Sequence, residues 1–282
     1  MDKNSNISKV SIVTPSYNQG QYLEKTIKSV ISQKYPNLEY YIFDGGSNDN
    51  SREILEKYSN SITSWVSKKD KGQSDAINKG IEASNGTIFG YINSDDFYEE
   101  GAIQRAVDIF SKNPEIDIIY GNFNYVDSND NLLSNQKTIP FDSKIFRYDF
   151  DFICQPASFW RMDVFKKIGL FDVDLKYLMD YDFFLRCATG GINFHYDNFT
   201  IANLRLHDDC KTISGQKDFA EKYAKIRNDI LEPHRHKFTR NALGKNFLII
   251  LKILNRIKYH LTYRMTHKER KESYMSVLKK IK

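Results

Sequence analysis

An α/β fold with a mostly parallel central sheet flanked by helices is what this sequence predicts, and three observations predict it. Short β-branched or aromatic runs alternate with stretches of helical periodicity, the signature of strand–helix–strand units. The loops after the early strands are short and rich in Pro, Gly, Asn and Asp, so successive strands have only helices to carry the chain back. A wholly apolar run, Ile88-Phe89-Gly90-Tyr91-Ile92, ends abruptly in Asn93-Ser94-Asp95-Asp96. In open α/β sheets ligands bind beyond the carboxyl ends of the strands, so these polar residues are expected in a cleft.

The elements follow in order. Lys9–Thr14 reads as a first buried strand, followed by the loop Pro15-Ser16-Tyr17-Asn18-Gln19-Gly20. Over Tyr22–Gln33, Leu23, Ile27, Val30 and Ile31 fall on one helical face, and Pro36-Asn37 ends the segment. Leu38–Phe43 is a second strand, leading into Asp44-Gly45-Gly46-Ser47, and Ser51–Tyr58 a second helix. Ile62–Val66 is a short third strand. A helix from Gln73 ends near Asn85-Gly86, where glycine suits the C-cap. Thr87–Ile92 is the fourth strand, and right-handed crossovers put every loop named so far on one edge.

The later half is more mixed. Ala102–Lys112 is helical and stops before Pro114. Ile116–Tyr120 is a strand, and Asn122–Leu133 a hairpin around Asp127-Ser128-Asn129-Asp130-Asn131. Ile153–Arg161 is a strand candidate, Asp163–Ile168 a short helix, and Asp180–Ala188 a helix with Asp180 and Asp182 at its start. Carboxylates there suit the helix dipole. Ile192–His195 and Ile201–Leu206 read as strands, and residues 216–232 as a helix. From Asn246 a basic amphipathic helix places Ile250, Leu254, Ile257, Leu261 and Met265 on one stripe, suited to a membrane surface or to packing on the body.

Composition narrows the class. With 282 residues, 40% of them hydrophobic and 27% charged, the chain can bury a large core. Cys154, Cys187 and Cys210 are too widely spaced for a disulfide framework or a zinc site. The polar N-terminus lacks a signal-peptide pattern, and no stretch approaches the roughly 20 apolar residues that span a bilayer. A cytoplasmic protein is expected. The net charge of +5 conceals an asymmetry: residues 235–282 hold 14 Lys and Arg against two Glu, while residues 1–234 carry an acidic excess. The apolar stripe in that basic tail favours an anionic membrane surface, with peripheral attachment, over nucleic acid. Two regions are therefore expected, a body over 1–215 and a basic helical extension over 216–282.

The adjacent carboxylates Asp95 and Asp96 repel, so a cation between them would favour both being ionised. Oxygen ligands of this kind suit Mg²⁺ or Mn²⁺, which commonly bridge to substrate phosphates. The same Asn-Ser-Asp-Asp is also good turn chemistry, and the two readings stay open on these residues alone. Asp75 and Asn78, three apart, share a helical face.

The order of the polar blocks is more specific than any one of them. Thr14-Pro15-Ser16-Tyr17-Asn18, Asp44-Gly45-Gly46-Ser47, the stretch from Asp70 through Asp75 and Asn78 to Gly80, and Asn93-Ser94-Asp95-Asp96 come first. Gln155-Pro156-Ala157-Ser158-Phe159-Trp160-Arg161, Asp180-Tyr181-Asp182 with Arg186, and His207 complete them. In this arrangement residues 9–215 resemble the family 2 glycosyltransferases, which have the GT-A fold. The resemblance implies an inverting transfer of a sugar from a nucleotide-diphosphate donor, a UDP-sugar first of all. The acceptor would be a hydroxyl of a glycan or lipid-linked acceptor, in surface polysaccharide synthesis. It implies donor contacts from Thr14, Pro15, Tyr17, Asp44, Asp75, Asn78, Asn93 and Ser94. Asp95, Asp96 and His207 would hold Mn²⁺ or Mg²⁺, and Asp180 would be the catalytic base. Gln155, Trp160, Arg161 and Asp182 would face the acceptor. The sequence departs from the family at Asn93, where the family's Asp-x-Asp begins with Asp, and at Met179, where many members have Glu.

Two other classes compete. A metal-dependent nucleotidyltransferase would want a basic Gly-rich loop after the first strand, and Pro15–Gly20 has no Lys or Arg. A non-catalytic nucleotide- or sugar-binding module would have no need of both Asp95 and Asp180.

Overall fold

The computed structural model describes residues 7–148, 151–210 and 219–231. Four parallel strands form its first half. β1 (Val10–Ser16) lies between β2 (Leu38–Asp44) and β4 (Ile88–Tyr91), with β3 (Ser64–Ser67) outside β2. Parallel neighbours need crossovers, supplied by α1 (Gly20–Ile31), α2 (Ser51–Tyr58) and α3 (Gln73–Ala83). The register sets Ser16 beside Asp44 and Asp44 beside Ser67, so the loops leaving β1, β2 and β3 share one edge.

The amphipathic logic of the sequence explains the packing. Leu23, Ile27 and Val30 of α1 are fully buried. Successive β1 residues serve opposite sides of the sheet: Ile12 joins the cluster of Leu23, Ile42 and Phe159, and Val13 that of Ile77, Tyr91 and Trp160. Gly80 lets α3 lie close on β1, since a Cβ there would stand 2.5 Å from the Val13 methyls. Gly46 takes φ +81° in the tight loop after β2, a conformation that costs glycine little.

Beyond β4 the sheet turns mixed. A two-residue strand β5 (Phe97–Tyr98) and α4 (Ala102–Lys112) precede the long β6 (Ile118–Val126), which forms a hairpin with β7 (Leu132–Gln136). After α5 (Ser143–Tyr148), β8 (Ser158–Arg161) runs antiparallel between β4 and β6. Then come α6 (Asp163–Ile168), α7 (Met179–Thr189) and β9 (Phe194–Arg205), which lies parallel to β6 and carries β5 on its other edge. The strand order is β3-β2-β1-β4-β8-β6-β9-β5, with β7 attached to β6.

Three expectations are corrected here. Ile116–Tyr120 and the first arm of the hairpin are one strand, whose first half pairs with β8 and whose second half pairs with β7. The two strands expected at 192–206 are likewise one, bent where the register shifts at Gly121 and Asn122. A Cβ on Gly121 would stand 2.6 Å from the Phe199 carbonyl, so the bend needs that glycine. Within the expected strand 153–161, residues Gln155–Ala157 instead form a single 3₁₀ turn, because Pro156 cannot donate to a ladder. The helix α8 (Phe219–Leu231) falls inside the expected 216–232 and adds buried Ile226 to the core. The basic helix expected from Asn246 lies outside the described residues. Among those residues, no helix is long and apolar enough to cross a membrane.

Candidate active site

The carboxyl edge of β1–β4 collects the polar loops. Past β1, Tyr17 stands 62% exposed, and a Cβ on Gly45 would meet both its ring and the Asp70 carboxylate at 3.2–3.3 Å. Tyr17, Gly45 and Asp70 thus form one wall. Burial pushes the Asp70 carboxyl up, although it accepts the Gly72 amide at 2.8 Å. Asp44 is buried and accepts from the Ser47 amide at 2.9 Å and the Ser67 hydroxyl at 2.7 Å, as well as from the Ser47 hydroxyl. Its carboxylate ties the ends of β2 and β3 together beneath that wall. Asp75 faces Lys79 at 2.7 Å and the Lys71 amide at 3.0 Å, and these bonds lower its carboxyl.

Past β4, side chains from several segments fasten the tight turn at 93–96. Asn93 accepts from Gln73 Nε2 at 2.6 Å and donates to Asp96 Oδ2 at 3.0 Å. The Thr26 hydroxyl reaches the Ser94 and Asp96 carbonyls at 2.9 and 2.6 Å. Asp96 is buried, and Arg205 donates its backbone N–H to Oδ1 at 3.0 Å. Burial, reinforced by the Asp95 charge beside it, pushes the Asp96 carboxyl well above the usual carboxylate range. Asp95 points the other way, with Oδ2 3.1 Å from His207 Nε2. His207 is buried, its ring 4.8 Å from that of Tyr22, and its Nδ1 has no hydrogen-bond partner among the described residues.

Asp180 arrives from α7. Leu178 just before it takes the left-handed conformation at φ 63°, a strain of about 1–2 kcal/mol for a residue with a Cβ. That twist starts α7 with Met179 against the Ser74 hydroxyl, 2.9 Å from Sδ, so α3 and α7 begin at one place. The charges of Asp96 and Asp180 both bear on the buried Tyr91 hydroxyl and on the Cys154 thiol, which lie between them, and with burial they raise both groups. The end of β4 and the start of α7 therefore bring carboxylates near the same two buried groups. Asp151 stands there too. Burial and the Asp180 charge push its carboxyl well above the ordinary range.

Several side chains singled out in the sequence are committed elsewhere. The Thr14 hydroxyl is buried on Tyr40 at 3.0 Å, and Pro15 is an interior residue of β1. Asn78 binds the Phe171 carbonyl and amide at 2.8 and 3.0 Å, fastening the 171 loop to α3. Asp96 turns into the protein, so of the two adjacent aspartates only Asp95 is free to face a cation. Trp160 is fully buried between Tyr91 and Phe184, a core residue and not an acceptor contact. Arg161 pairs with Ile88 at the opposite edge of the sheet and binds the carbonyls of Ile116, Phe110 and Asn113. The acceptor side expected for it is corrected on that ground. Asp182 bonds Arg186 at 2.8–2.9 Å along α7. Gln155 is buried and donates to the Tyr91 carbonyl at 2.8 Å. Asp70, Gln73, Asp151, Cys154 and Arg205, to which the sequence assigns no role, also stand near these groups. Asp70 and Gln73 lie within a matched block and Arg205 two residues before His207, and only tertiary contacts distinguish them from neighbouring polar residues.

Among the described residues no group of three or more His, Cys, Asp or Glu is arranged to hold a metal ion. Asp95 and His207 do fit a cation's needs in part: one carboxylate oxygen and one imidazole nitrogen meet at a spacing that two ligands of one ion can share. The remaining positions would fall to diphosphate oxygens and water.

The comparisons with known proteins agree with this architecture. A family model described as glycosyl transferase family 2 matches residues 11–169. An uncharacterised glycosyltransferase of Rickettsia typhi is 30% identical over 221 residues, covering 74% of this chain and 67% of its own. Chondroitin synthase of Escherichia coli is 29% identical over 224 residues, 79% of this chain and 32% of the synthase, so the chain spans about a third of that relative. Among solved structures, S. aureus TarS 1-349 in complex with UDP-GlcNAc superposes with a TM-score of 0.66 at 18% identity, covering 85% of this chain and 71% of that one. The mannosyltransferase PcManGT from Pyrobaculum calidifontis, in complex with GDP-Man and Mn²⁺, gives 0.60 at 12% identity, covering 98% and 80%.

Proposed function

This chain belongs to glycosyl transferase family 2 and has the GT-A fold, and on that premise we propose that it is an inverting transferase acting on a nucleoside-diphosphate sugar. The acceptor is a hydroxyl of a glycan or lipid-linked acceptor, and the product a surface polysaccharide. A UDP-sugar is the donor favoured by the likeness to TarS, whose solved complex holds UDP-GlcNAc. The likeness to chondroitin synthase favours a glycan acceptor.

Two observations support the reading: Asp95 meets His207 past β4, and Asp180 at the start of α7 acts on the same buried Tyr91 and Cys154 as Asp96, the neighbour of Asp95. Tyr17 offers an exposed ring for the nucleobase beside the Asp70 carboxylate, which accepts from base or ribose donors. Asp95 and His207 would hold Mg²⁺ or Mn²⁺. Such an ion, when bound, neutralises charge on the departing diphosphate. Asp180 takes the acceptor hydroxyl proton as that oxygen attacks the anomeric carbon from the face opposite the diphosphate.

Replacing Asp180 by Asn tests the assignment. General-base removal costs about 10²–10⁴ in turnover, so UDP-sugar consumption should fall by that factor while calorimetric UDP affinity stays within about twofold of wild type. Wild-type turnover in the variant would refute the role of Asp180.

The basic segment 235–282 is proposed to attach the protein peripherally to anionic lipid.

A further inference from the structure

We propose that Arg205 is the positioning residue of the Asp95–His207 pair, an inference that rests on the transferase reading above. Arg205 ends β9 and is 3% exposed. Its Nε donates to the Asp95 carbonyl at 2.8 Å, and its backbone N–H to Asp96 Oδ1 at 3.0 Å. Its Nη1 contacts the Asp127 carbonyl at 3.3 Å and the Asp130 carboxylate in the β6–β7 hairpin. The guanidinium lies 4.5 Å from the Tyr22 ring centroid and 5.4 Å from that of Phe97. A planar fork of five donors can reach the β4 turn, the hairpin and two ring faces at once, and no other side chain has that geometry.

The placement matters because of what lies on either side. Tyr22, stacked on Arg205, also contacts the His207 ring at 4.8 Å. His207 follows Arg205 by two residues, and Asp95 is gripped by it directly. Both partners of the 3.1 Å Asp95–His207 contact are thus referred to one buried cation. On the other side of the turn, the Thr26 hydroxyl holds the carbonyls of Ser94 and Asp96. With carbonyls 94, 95 and 96 all fastened, the Asp95 carboxylate has a single direction to face.

Stability alone does not account for this arrangement. Burying a guanidinium is costly, and well-packed apolar residues often replace buried ion pairs without loss. Asp130 compensates the charge and also pairs with Lys25 at 3.2 Å, and Arg205 and Lys25 hold the Asp130 carboxyl below the usual range despite its burial. What the fork provides that packing would not is a fixed Asp95 backbone.

The test compares wild type, Arg205→Lys and Asp130→Asn by two readouts. Calorimetry measures UDP affinity with Mn²⁺ and with EDTA. Hydrogen exchange follows the peptide spanning 92–97 without any ligand. Arg205→Lys should weaken Mn²⁺-dependent UDP binding by about 10-fold or more, the range seen when a ligand's support is removed, and leave metal-free binding unchanged. Asp130→Asn, which frees the far end of the fork, should move the same way by less. Both should speed exchange across 92–97. Equal losses with and without metal would assign Arg205 a purely structural role and overturn the inference, as would unchanged exchange across 92–97. A wild type indifferent to UDP refutes the UDP-donor reading instead, and the exchange result then still decides the role of Arg205. If Arg205→Lys does not fold, Asp130→Asn carries both readouts.

Discussion

Asn93→Asp would restore the residue that the family carries at this position, and the structure predicts that it harms the protein. Asn93 lies between Gln73, from which it accepts at 2.6 Å, and Asp96, to which it donates at 3.0 Å. An aspartate keeps the first bond and loses the second, placing a new carboxylate against one already raised by burial and by Asp95. An unmet buried acceptor, or two carboxylates in contact, costs about 1–3 kcal/mol at pH 8. At roughly 2–4 °C per kcal/mol, Tm should fall by about 2–12 °C. The sign with pH follows from the raised carboxyl. Below its folded pKa the pair shares a proton and the hydrogen bond is remade, so the deficit against wild type shrinks on acidification. It grows as pH rises through that pKa, where the proton is lost. Thermal melts of both proteins from pH 5.5 to 8.5 measure it. A deficit that is absent at pH 8, or that grows toward acid, would refute the placement of Asn93. Nor should the variant gain metal affinity, because residue 93 faces Gln73 and Asp96 and not His207.

Two further outcomes follow from placement. Arg161→Met removes guanidinium bonds to three carbonyls around the end of α4 and should cost about 2–3 kcal/mol in urea unfolding while changing kcat/KM by less than about twofold; a large kinetic effect without destabilisation would return Arg161 to the acceptor side. The full chain should sediment with vesicles containing phosphatidylserine at low salt and be released by about 0.5 M NaCl, and equal recovery with neutral vesicles would remove electrostatic attachment.

Much of the fold could be read before the coordinates. α2, α4 and α6 occupy the expected residues, and β1 to β4 lie within two residues of theirs, because each is a local pattern with polar punctuation. The later sheet was less legible. β6 and β9 are long, bent strands whose partners change along their length, and sequence cannot tell a bend from an end. The two-residue β5 pairs with β9 and donates a hydrogen bond from the Tyr98 N–H to the Ser29 hydroxyl of α1, and it has no periodicity to find.

The candidate site divides along the same line. From sequence alone came the family resemblance, the crevice at the carboxyl edge, and the identities of Asp95, Asp180 and His207 as groups to watch, because order along the chain and strand ends are one-dimensional facts. Tertiary structure decided which carboxylate of an adjacent pair faces outward, since Asp95 and Asp96 are chemically identical until Arg205 and His207 arrive from a distant segment. It also sent Trp160 to the core and Arg161 to the far edge. Direction and burial are properties of packing, and packing is settled only when residues a hundred positions apart come into contact.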